Sequence, residues 1–132
     1  MLDKLKNYVV YINCKPFLYD VTYFEPQPFL ANRKIVGLQI FDSATLTTTP
    51  TGNDICFPGP YRVNLTMQDL DNLVVIDEIP GQVFAQYPVT TFEKGGNIVR
   101  FRPFIANWQK CFIQNTNSIS NGTYMGFNFY YI

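Results

Sequence analysis

The sequence of 132 residues contains no histidine. That removes the usual general base near neutral pH and the commonest transition-metal ligand together, so hydrolases built on a histidine-containing Ser or Cys triad are excluded. Charge is scarce, at 15% of residues, against about a quarter in an average soluble domain. Ten Lys and Arg offset ten Asp and Glu, which leaves no net field to draw nucleic acid or an anionic membrane. No apolar run approaches the roughly 20 residues a membrane-spanning helix requires. Lys4 and Lys6 lead into an apolar stretch that runs only from Tyr8 to Ile12, too short for the core of a secretion signal, so synthesis in a cytoplasm is expected. A phosphate-cradling loop is missing as well; Lys94-Gly95-Gly96 lacks the flanking pattern and reads as a hairpin turn. Cysteine is sparse and odd in number. Cys14, Cys56 and Cys111 fit neither a zinc spacing nor a fully paired disulfide framework, and read as small buried apolar residues in a reducing compartment.

What the chain has in quantity is aromatic surface. Twelve Phe and nine Tyr stand in a composition that is 47% hydrophobic. With so few charges, part of that surface has to lie outside the core, and exposed apolar area of this kind marks an interface. The length fits one domain, 1–132, large enough to fold without a metal or disulfide staple, with residues 1–13 serving either as an arm or as the first strand.

Period-two alternation is the clearest local signal. Tyr61, Val63, Leu65 and Met67 fall on one face of a strand, while Arg62, Asn64 and Thr66 fall on the other. Val36, Leu38 and Ile40 share a face opposite Gly37 and Gln39. Met125, Phe127, Phe129 and Tyr131 alternate with Gly126, Asn128 and Tyr130. The runs Phe17 to Phe24, Leu73 to Ile79 and Ile98 to Phe104 are rich in β-branched and aromatic residues. Turns are expected at Pro50-Thr51-Gly52, Pro58-Gly59-Pro60, Pro80-Gly81, Gly95-Gly96-Asn97 and Asn121-Gly122. The last of these predicts a hairpin that pairs Trp108 to Gln114 with Tyr124 to Tyr131. Short helical turns are expected at Asp69 to Asn72 and Leu2 to Asn7. The whole predicts an all-β fold: a two-sheet antiparallel sandwich of about seven to nine strands, jelly-roll-like.

Three groups of residues carry potential chemistry. Asp69, Asp71, Asp77 and Glu78 offer carboxylates for calcium, although Gln68 to Asn72 reads more simply as a solvated turn capped by its own Asp side chains, so no metal and no cofactor is expected. Arg100, Phe101 and Arg102 mix cations with an aromatic, but alternation puts both arginines on one face and the ring on the other, which reads first as a strand with a basic outer face and a buried Phe; exposed arginines suit contact with carboxylates of a neighbouring subunit as well as nucleic-acid binding. Trp108 and the tyrosines could stack a sugar or form a protein hot spot, and core packing is the commoner fate of any one of them.

Ile35 to Phe41, Pro50-Thr51-Gly52, Tyr61 to Met67, Phe101-Arg102-Pro103 and Trp108-Gln109-Lys110-Cys111-Phe112-Ile113 together resemble small β-sandwich virion proteins of tailless, membrane-containing icosahedral bacteriophages, such as the penton proteins at fivefold vertices. The resemblance implies a jelly roll that is a homo-oligomer, touches other capsid proteins, resides in the virion and catalyses nothing. No small-molecule substrate, nucleic acid or membrane span is expected. On this reading the contacts fall near Arg100 and Arg102 and along the apolar C-terminal run, at Tyr124, Phe127, Phe129, Tyr130 and Tyr131. A carbohydrate-binding sandwich is the main alternative, and a single-stranded nucleic-acid-binding barrel the next.

Overall fold

A computed structural model describes residues 6–42, 62–84, 99–118 and 124–132. Eight strands are found among them: β1 (Lys6–Asn13), β2 (Val21–Tyr23), β3 (Ile35–Asp42), β4 (Val63–Gln68), β5 (Val74–Pro80), β6 (Val99–Phe104), β7 (Phe112–Asn115) and β8 (Tyr124–Tyr131). They form two four-stranded antiparallel sheets, ordered β1-β8-β3-β6 and β2-β7-β4-β5. The order follows from one simple operation. The chain is folded back on itself so that β4 pairs β5, β3 pairs β6, β2 pairs β7 and β1 pairs β8, and the nested pairs are then rolled alternately into opposite layers. This is the jelly roll expected from the strand pattern.

Rolling also explains the expectation that fails. β7 and β8 are consecutive yet lie in different sheets, β7 between β2 and β4 and β8 between β1 and β3. The predicted terminal hairpin therefore does not form, and its turn residues Asn121-Gly122 lie outside the described residues. Only β4 and β5 are joined as a hairpin among the described strands. Its tip is Asp69 to Asn72, a tight turn and not a helical one, closed by the Asp69 carboxylate accepting the N–H groups of Asp71 and Leu73 at 2.9 Å each. Asn72 takes the left-handed backbone there, at φ 62, as Asn tolerates. Lys6 and Asn7 belong to β1, so the second helical expectation gives way to a strand at these two residues, and the rest of it lies outside the described residues. The turns expected at Pro50-Thr51-Gly52, Pro58-Gly59-Pro60 and Gly95-Gly96-Asn97, and Tyr61 and Cys56, lie outside the described residues. No helix of the described residues is long and apolar enough to cross a membrane.

The core lies between the sheets. Val10 and Ile12 from β1, Leu38 and Ile40 from β3, Val63, Leu65 and Met67 from β4, Ile113 from β7 and Phe127 and Phe129 from β8 are all buried in it. Phe24 sits at its centre, with its ring centroid 4.9 Å from Phe127, 5.6 Å from Trp108 and 6.0 Å from Phe129. Trp108, from a 3-10 turn at Trp108–Lys110, is thus a core residue and not an exposed platform. One alternation is displaced. Val36 was expected beside Leu38 and Ile40, but the register of β3 shifts between Ile35 and Gly37, and Ile35 enters the core instead. A bulge consumes one residue and reverses the inward face on its far side.

Candidate interaction surface

The segment between β1 and β2 is short, polar at its hinges and tightly held. Pro16 forbids continuation of a regular strand, and Asp20 closes a turn in which its carboxylate accepts the Phe17 N–H at 3.0 Å while its own N–H reaches the Phe17 carbonyl at 3.1 Å. Asn115, at the end of β7, pins the turn from the other side. Its Nδ2 donates to the Lys15 carbonyl at 2.7 Å and to the Phe17 carbonyl at 2.9 Å. Its main chain accepts from Tyr19 N–H at 3.1 Å and donates to the Asp20 carbonyl at 2.9 Å. Gln114 adds a bond from its amide to the Tyr19 carbonyl at 3.3 Å.

These bonds hold Tyr19 at φ 67, a left-handed backbone that costs a non-glycine residue roughly 1–2 kcal/mol. What the strained turn displays is apolar. Phe17 and Tyr19 are each 70% exposed, Tyr23 on β2 is 58% exposed, and Leu18 is exposed with them. Tyr23 leans on Phe112 of the adjacent β7, with centroids 5.4 Å apart. A rigid loop that holds large rings in water has bought pre-organisation for contact: the rings lose little freedom when a partner covers them.

Beside this surface runs a cleft of about 340 Å³ between the β1 edge of one sheet and the β2 edge of the other. Tyr11, Tyr23 and Tyr124 line it together with Asn13, Thr22, Glu25 and Gln27. Rings beside amide and carboxylate groups suit a sugar as well as a peptide. No family model, curated protein or solved structure matches this chain.

The residues expected at contacts are dispersed by the fold. Arg100 and Arg102 are exposed on β6 and Phe101 between them is half-buried, as alternation predicts; Phe101 packs against Phe104 at 5.5 Å. Arg102 lies 3.9 Å from Asp69, too open to water to stabilise much. Tyr124 reaches the cleft. Phe127 and Phe129 are core, and Tyr131 borders the core against Phe29 at 5.5 Å. Tyr130 is buried on the opposite face of β8, where burial pushes its hydroxyl pKa up and the Asn128 amide acts in the lowering direction. The expense of wetting the C-terminal run, the reason for placing it at a contact, is thus met within the chain. The carboxylates do not gather either: among the described residues no cluster of three or more His, Cys, Asp or Glu is placed to hold a metal.

Phe17, Leu18, Tyr19 and Tyr23 were hidden in the sequence because Phe17 to Phe24 reads as one strand. The signal that separates them is Pro16 followed by Asp20, a turn signature, which leaves Val21–Tyr23 as the strand.

Proposed function

We propose that this chain is a structural virion protein, a penton, vertex or minor capsid subunit that works through protein–protein contacts and carries out no catalysis. The observation that supports it most is the Phe17 to Tyr23 surface. A loop clamped by Asn115 and Asp20, strained at Tyr19, presents four large apolar side chains to water. The jelly roll is an architecture shared by capsid proteins, and also by lectins, so the fold agrees with the reading without selecting it. Mass-spectrometric detection of the chain at fixed stoichiometry in purified virions, with cross-links from the Lys15 region to a neighbouring subunit, is the expected result. Absence of the chain from such particles rejects the virion assignment.

A second reading has its own observation. The cleft lined by Tyr11, Tyr23 and Tyr124 with Glu25 and Gln27 fits carbohydrate. A glycan array probed with the full chain discriminates: specific retention that is lost on Tyr23→Ala favours sugar binding, and silence removes it.

A further inference from the structure

Two groups of large apolar side chains stand in water among the described residues, and they lie at opposite ends of one strand. Phe17, Leu18 and Tyr19 are consecutive in the β1 to β2 turn, and Leu70, Leu73 and Val74 surround the tip of the β4 to β5 hairpin. Val63, the first residue of β4, pairs with Asn115, which clamps the turn, whereas Gln68, its last, pairs with Val74. At about 3.3 Å per residue, β4 sets the two groups roughly 17 Å apart. Their shapes are complementary. The turn is a knob that carries three side chains outward. At the hairpin end Leu70 borders two open hollows of about 310 and 330 Å³, the first walled also by Pro103, Phe104 and Ile105, the second by Pro26, Ala31 and Ala106. Each is larger than the roughly 150 Å³ of apolar cavity that takes up a benzene ring. The charges around them match as well. Lys15 and Asp20 flank the knob, while Asp71 and Lys34 stand on the rim of the first hollow, where Arg102 and Asp69 lie 3.9 Å apart and offset one another. Neither Lys15 nor Asp71 has an ion-pair partner among the described residues.

We propose that the Phe17-Leu18-Tyr19 knob of one copy seats in the hollows beside Leu70 of a second copy. The proposal rests on the reading of the chain as an assembly subunit and names the partner of its exposed turn. A second copy is the occupant these observations select, because one chain carries the knob, hollows of a size to receive its rings, and a counter-charge for each charge beside it. Aromatic anchors in apolar pockets are also the usual composition of a protein–protein hot spot. Since knob and hollows are different surfaces, the contact is heterologous: each copy donates one and receives the other, and the copies close into a ring or extend as a row according to the rotation between neighbours.

Sedimentation velocity of the full chain and two variants tests this. Phe17→Ser with Tyr19→Asn removes the knob and leaves the hollows; Leu70→Lys with Leu73→Lys spoils the hollows and leaves the knob. All four side chains are exposed, so both variants should melt within a few degrees of wild type, and if the lysine variant does not, Leu70→Ser with Leu73→Ser takes its place. The wild type is expected to form species larger than a dimer as concentration rises, and either variant alone to stay monomeric, its association weakened at least about tenfold. Mixed one to one, the two variants should form a heterodimer and nothing larger, because a single intact knob-and-hollow contact is left between them. Wild-type association that survives in either variant, or variants that fail to associate when mixed, overturns the contact and leaves the assembly reading standing. A wild type that stays monomeric at every concentration overturns the contact too, and the virion reading is then decided separately by the presence or absence of the chain in purified particles.

Discussion

Gln39 is fully buried on the face of β3 turned away from the core, opposite Asn128 of β8, and neither atom of its amide has a hydrogen-bond partner. An unpaired buried amide costs roughly 1–3 kcal/mol. Gln39→Met keeps the length and removes both polar atoms, so urea unfolding should show stability unchanged or raised by about 1–2 kcal/mol. A loss of that size would show that the amide makes a contact the fold needs. Asn115 is the contrasting case, since its Nδ2 satisfies two carbonyls of the strained turn. Asn115→Ala should cost about 2 kcal/mol in the same measurement and expose the Phe17 region to proteolysis. Cys111 donates to the Asn107 carbonyl at 3.2 Å, and burial pushes its thiol from 9.0 up to about 11, with a backbone contact to Gln68 acting weakly downward. A raised thiol pKa stabilises the fold fully below about pH 9, and that contribution is lost as pH rises through about 11. The stability difference between wild type and Cys111→Ala should therefore be constant up to about pH 9 and shrink between pH 9 and 11.

At the scale of elements, β8 holds the first sheet together because it pairs along its length with both β1 and β3. Deleting residues 127–132 removes Phe127, Phe129 and Tyr131 from the core, and the product should show no cooperative thermal transition by circular dichroism. A cooperative melt from that product would mean that the two sheets cohere without it. Alternation made β8, β4 and most of β3 legible, because one face of each is apolar and buried. It failed where chain geometry overrides period two. The bulge at Val36 is invisible to a pattern of residue types, and the burial of Gln39 on the outward face depends on neighbours that a strand cannot name. The turn at Phe17 to Asp20 was absorbed into a strand because its rings look like β residues. Its aromatic display, the centre of the candidate site, is therefore not legible in the sequence, while of the C-terminal aromatics only Tyr124 reaches the surface cleft and Phe127, Phe129, Tyr130 and Tyr131 are buried.

For the molecule as a whole, composition anticipated a sandwich with surplus apolar surface, and the strand order was the part it left open. Non-local pairing is the reason: β1 meets β8 across more than a hundred residues, and no local signal encodes that. Among the described residues, the most exposed aromatic rings, Phe17, Tyr19 and Tyr23, gather at one corner, where the β1 to β2 loop, the β2 edge and the tyrosine-lined cleft adjoin, while Leu70, Leu73 and Val74 are exposed at the β4 to β5 hairpin. Phe17→Ser combined with Tyr19→Asn tests whether that corner exists for contact. Both side chains are mostly in water, and Asn accepts the left-handed backbone at position 19 readily, so the melting temperature should stay within a few degrees of wild type. Light scattering coupled to size exclusion is the deciding measurement: on the proposed virion role, incorporation of the chain into a complex with capsid subunits should fall sharply in the variant at unchanged fold. Undiminished incorporation would contradict the assignment of this surface.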